Sequence, residues 1–198
     1  LTELMVAVAI IGVMISMAVP GTQRWMNDQE AGAMARSISN AFHVARQDAM
    51  RSGRNQIVFF SPGGAGDAAG NPLLDASGAP VPVLILDDGP TGSPGQNCQI
   101  DAGEPTRTLA ADTGLAWGYS LAAGTKAPGD LTAVPIASGS SFATPTGGPT
   151  TWVLFRPDGT PVAFDAACNT GAVGSGSGAI YFTNGNHDFA VVLTALGG

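Results

Sequence analysis

Positive charge is what this chain of 198 residues has least of. Eight Lys and Arg face fifteen Asp and Glu, for a net charge of −7, and charged residues of either sign make only 12% of the whole. The imbalance is local. Residues 1–56 carry five arginines against four acids, whereas Arg107, Lys126 and Arg156 stand against eleven acids in the remainder, a net of −8. A body of that sign repels a phosphate backbone, so no nucleic-acid partner is expected. Histidine is almost as scarce. His43 and His187 are the only two, and neither has a Cys, Ser or metal-type cluster beside it. His43 reads as a solvated or interface side chain rather than a ligand. There is no nucleophile elbow, P-loop, dinucleotide fingerprint or H-E-x-x-H, and the GSGSG at 174–178 has no phosphate-binding context, so no enzyme is expected. No N-x-S/T acceptor occurs. The two cysteines, Cys98 and Cys168, lie 70 positions apart with no C-x-x-C or Cys/His cluster, which leaves a zinc site without support. In an oxidising compartment they would form one disulfide, worth roughly 4 kcal/mol through the long loop it closes. In a reducing one they would be two buried thiols.

What the chain does have is one long apolar run. From Leu4 to Gln23 no residue is charged, and Glu3 stands at its head. Twenty residues at about 1.5 Å each make about 30 Å of helix, the thickness of a bilayer core. The run lacks the basic start and small-residue cleavage site of a signal peptide. A carboxylate at the mouth of such a segment calls for a partner. Nothing basic lies within twenty residues, so the partner belongs to another molecule or is an α-amino group just upstream.

The stretch LTELMVAVAIIGVMISMAVP resembles the N-terminal segment of type IV pilins and pseudopilins. The resemblance implies a mature start two residues earlier, with a methylated first residue and a leader ahead of it. It also implies that Glu3 neutralises the N-terminal amine of a neighbouring subunit entering a filament, since opposite charges a few ångströms apart in low dielectric attract strongly. Gly12 and Pro20 would mark a stretch of helix that melts on assembly. Proline removes a helix hydrogen bond and glycine weakens the helix, in keeping with that role.

From Trp25 the pattern turns amphipathic. Met34, Ile38, Ala41/Phe42, Ala45 and Ala49 recur at three- and four-residue spacing. Gly53 is placed to cap the C-terminus, with Arg51 in the last turn. Strands are expected at 56–60, 82–87, 106–110, 151–156, 160–164, 179–183 and 188–194, with a Pro-Asp-Gly turn and an Asn-Gly-Asn turn closing two hairpins. The expected fold is α+β: a long N-terminal helix, apolar in one half and amphipathic in the other, packed on an antiparallel sheet. The segments are an apolar membrane or filament-core helix at 1–24, its amphipathic half at 25–53 and a β-rich domain at 54–198. With the resemblance, this becomes a pilin-like fold.

The blocks SNAFHVARQDAMRSGRNQIVFF, LILDDGPTGSPGQNCQIDAGEPTRTL, VLFRPDGTPV and VVLTALGG are similar to the H-type minor pseudopilins and FimT-like pilins. The basic C-terminal residues with which DNA-uptake relatives hold DNA are missing here. Asp87, Asp88, Asp101 and Glu104 gather four carboxylates in a Gly-rich loop, a donor set suited to Ca²⁺ though without EF-hand spacing. Calcium is the one candidate ion, and no other cofactor is expected. The loops 61–79 and 138–150 are low-complexity, and the second offers Ser and Thr for O-linked sugar.

Three functions are consistent with this reading. The first is a subunit of a type IV pilus-like helical filament, pooled in the inner membrane and polymerised by assembly machinery with copies of itself and other pilin-like subunits on the cell surface. The second is a minor pseudopilin of a periplasmic type II secretion pseudopilus. The third is a membrane-tethered binding or adhesion domain that does not polymerise.

Overall fold

The computed structural model describes residues 2–60, 66–75, 77–89, 96–101, 103–109, 115–118, 125–136 and 139–198, with the side chains of residues 9 and 15–21 left outside the description. It opens with one helix, α1 (Thr2–Ser52). Along its second half Ala31, Met34, Ile38, Ala41, Phe42, Ala45 and Ala49 are buried, the three- and four-residue spacing of a single helix face. The helix ends where Gly53 turns left-handed at φ 69° and its N–H donates to the Ala49 carbonyl at 3.0 Å, an αL cap.

The strands are β1 (Gln56–Phe60), β2 (Val83–Asp87), β3 (Thr106–Leu109), β4 (Ala116–Trp117), β5 (Trp152–Phe155), β6 (Pro161–Val162), β7 (Gly178–Thr183) and β8 (Asp188–Leu193). They form two antiparallel sheets, β3-β2-β1-β5-β6 and β4-β7-β8. In the β5–β6 hairpin Asp158 Oδ1 accepts from the Thr160 amide at 2.9 Å and Gly159 adopts φ 77°. A Cβ on Gly159 would also sit 2.9 Å from Met50 Sδ, so this turn packs directly on the helix.

The expected fold class is corrected on three points. First, α1 does not pack along its length. Ahead of Ala31 every described side chain is exposed except the half-buried Asp28. Second, among the described residues no helix is long and apolar enough to cross a membrane. Third, the strands divide into two sheets, and the larger is buried on both faces through β1, β2 and β5, with β3 exposed at its edge. Val58 and Phe60 turn toward α1, while Ile57 and Phe59 enter a separate core with Leu73, Val81, Leu84, Leu86, Cys98, Leu154, Val162 and Phe164. The physical reason lies in β1 itself. Its Ile-Val-Phe-Phe run has no polar alternation, so neither face can be left to water. Loops carrying Leu73, Val81 and Cys98 supply the second cover. Strand β4, in a Gly-rich stretch, was not anticipated.

Candidate functional site

Two regions hold the residues singled out from the sequence. At the head of α1, Glu3 lies in the first turn, where a carboxylate suits the positive end of the helix dipole. Among the described residues it has no ion-pair partner within its own chain. Leu4, Met5, Val6, Val8, Ile10, Ile11, Val13 and Met14 follow, each more than half exposed. Thr2, Glu3, Val6, Ala7 and Ile10 line one shallow groove. Among the described residues, and leaving aside the adjoining helix backbone, no atom lies within 4 Å of a Cβ built on Gly12. The Pro20 side chain lies outside the described residues.

The helix is secured to the domain only further along. Asp28 Oδ1 accepts from Asn184 Nδ2 at 2.6 Å and lies 3.1 Å from His187 Nδ1, both in the β7–β8 turn. These contacts, His187 first, hold the Asp28 carboxyl below its ordinary range. Near the other end Arg46 Nη1 donates to the Gly197 carbonyl at 3.0 Å, and Asp48 pairs with Arg107 of β3 at 3.1 Å.

The second region is the acidic loop. Cys98 and Cys168 are joined by a disulfide with Cα atoms 5.4 Å apart. Asp88 is wholly buried beside it. Its Oδ1 accepts the Cys98 amide at 3.3 Å, and the amides of Gln96 and Asn97 also face the carboxylate. Gln96 (φ 56°) and Cys98 (φ 59°) both take left-handed backbone, so this short stretch turns its N–H groups inward as an anion nest. Even so, burial pushes the Asp88 carboxyl upward, and Oδ2 has no hydrogen-bond partner among the described residues. Glu104 is raised for the same reason, with Asp88, Asp101 and Asp87 adding repulsion. Asp87 pairs with Arg54 at 3.5 Å.

The four carboxylates do not fit calcium. Asp101 Oδ2 is taken by Asn97 Nδ2 at 2.7 Å, and Glu104 Oε2 by the Asp101 amide at 3.1 Å. Among the described residues the one group of three ligand-type side chains within 4.8 Å of one another is Asp88, Cys98 and Cys168, and its two sulfurs are spent on each other. Calcium requires six to eight oxygens at about 2.3–2.6 Å, which this arrangement does not collect.

Sequence reasoning missed two polar devices. Asp130, buried on the other side of the molecule, accepts from Tyr181 Oη at 2.5 Å, from Thr132 Oγ1 at 2.6 Å and from the Thr132 amide at 3.1 Å. Burial opposes its ionisation, but the bonds from Thr132, Tyr181 and Ser141 prevail and hold the carboxyl below its usual range. The other device was written in the sequence. DAAGN at 67–71, DASGA at 75–79 and DAACN at 165–169 are one turn used three times. In each, the Asp Oδ1 accepts the amides two and four residues on, at 2.8–3.0 Å. The fourth position is left-handed in all three: Gly70, Gly78 and Cys168. Cys168 thus stands where its sister turns have glycine.

The chain matches no family model, no curated protein and no solved structure.

Proposed function

We propose that this chain is a structural subunit of a type IV pilus-like helical filament, held in the inner membrane before assembly and joined to its neighbours by bundling of the apolar head of α1. The observation that carries the reading is the head itself. Eight apolar side chains on successive turns between Leu4 and Met14 stand more than half exposed. At about 25 cal/mol per Å², burying them is worth on the order of 10 kcal/mol per subunit, too much to leave in water. The likeness of this stretch to the pilin N-terminus supports neighbouring copies as the final cover. Glu3 supports a register role, because a lone carboxylate among apolar side chains gains most from an amine brought to it in low dielectric. The acidic domain would face solvent.

The test is Glu3→Ala in the full chain, expressed with its assembly machinery. Filaments sheared from cells should fall at least about tenfold, as loss of a desolvated ion pair predicts, while the membrane pool of the chain is unchanged. A normal filament yield would contradict the role of Glu3. A wild-type chain that never enters sheared filaments would contradict the proposed function as a whole.

A further inference from the structure

The acidic loop has a purpose that calcium does not supply. One carboxylate oxygen of Asp88 lies within 4.8 Å of both sulfurs of the disulfide. Asp88 and Cys98 are both fully buried, whereas Cys168 is partly exposed. Among the described residues Asp88 Oδ2 has no hydrogen-bond partner. We propose that Asp88 guards the Cys98–Cys168 disulfide against thiols, its negative charge making Cys98 a poor leaving group.

The chemistry follows from which sulfur can be reached. A thiolate of a dithiol attacks Cys168 Sγ, the accessible sulfur, and forms a mixed disulfide with it. The Cys98–Cys168 bond breaks and its electron pair departs on Cys98 Sγ. That thiolate appears beside a carboxylate in a site closed to water, where like charges repel far more than they do in solvent. The reagent's second sulfur then attacks the first, closing a cyclic disulfide and releasing Cys168. The dithiol is oxidised by two electrons, and the two protons it gives up end on the cysteines. The first step is the one Asp88 opposes. Its neighbours cannot relieve the repulsion: Asp101 and Glu104 face it with the same sign, and Arg54 is engaged by Asp87. The nest of amides at 96–98 holds the carboxylate in position and favours its charged form, so the negative charge stays beside the disulfide.

The experiment is reduction of the full chain by dithiothreitol, followed by thiol labelling and mass measurement. Asp88→Asn should be reduced about tenfold faster or more near neutral pH, a factor set by one like charge a few ångströms away. Asp88→Asn could also act by loosening the loop, so a second readout separates charge from structure. With the rate divided by the reagent's thiolate concentration, wild type should speed up as pH is lowered from neutral toward the ordinary carboxylate range and the raised carboxyl takes a proton, and Asp88→Asn should stay flat. Equal rates for the two proteins, or a flat profile in wild type, would overturn the proposal. The wild-type profile stands by itself if the variant does not fold.

Discussion

The two faces of the five-stranded sheet are covered in different ways. On one, Ala31, Met34, Ile38, Phe42 and Ala45 of α1 share a core with Val58, Phe60, Val83 and Phe155. On the other, the described residues include no helix. Leu73, Val81 and Cys98 come from loops, and those loops are held by turn-capping aspartates and by one covalent bond. Asp67 shows how. Besides closing its own turn, its Oδ2 accepts the Ile100 amide at 2.9 Å, tying the 66–72 loop to the disulfide loop. A helix brings its backbone already hydrogen-bonded, so it needs only an apolar face to cover a sheet. Loops must satisfy their own backbone first, and here Asp residues and a disulfide do it.

The sharpest way to break the helix side is Phe42→Ala. Its ring meets Phe60 at 5.6 Å, Phe142 at 6.2 Å and Phe155 at 6.3 Å between centroids, so truncation empties the centre of that core. Chemical denaturation should show a loss of about 3–5 kcal/mol. A loss below about 1 kcal/mol would mean that this face is not the principal core. On the loop side, replacing Cys98 and Cys168 together by Ser should cost about 2–4 kcal/mol. Hydrogen exchange should localise the change to residues 66–81 and 96–101, with the helix-facing strands keeping their protection. Loss spread evenly over both faces would erase the distinction.

This asymmetry was only half legible in the sequence. Met34, Ile38, Phe42 and Ala45 announced the helix face by their spacing, because a helix writes its buried side at a period that local reading can detect. The Ile-Val-Phe-Phe of β1 gave the strand, but not the fact that both its faces are covered. That depends on Leu73, inside a segment that reads as low-complexity loop, and on Val81, just ahead of the strand expected at 82–87. The Gly-rich composition hid the Asp turns, although the repeated D-A-x-x-x could have been found by aligning the chain with itself. The acidic quartet was seen as a cluster, yet its members point to different partners, and only folding places Asp88 beside the disulfide. The head of α1 is legible as apolar, and its described side chains from Leu4 to Met14 stand exposed.

Acidity sharpens the comparison with the smallest expected effect. On the loop side, Asp88 and Glu104 have carboxyls raised by burial, so the folded state binds protons before the unfolded chain does. Stability therefore rises as pH falls from their raised values toward the ordinary carboxylate range. Across the molecule, Asp130 is held below that range by Thr132, Tyr181 and Ser141. Its contribution is present above the unfolded value and is lost as pH falls through the folded one. Asp75, Asp158 and Asp165, lowered by the hydrogen bonds of their own turns, share that acid limb. The thermal midpoint should thus climb slightly on mild acidification and then drop in stronger acid. Asp88→Asn should flatten the climb and leave the drop, whereas Asp130→Asn should shrink the drop and leave the climb. If either variant altered both limbs alike, the two carboxylates would be acting through one cooperative unit. The loop-covered face and the three-stranded sheet would then not be separable regions.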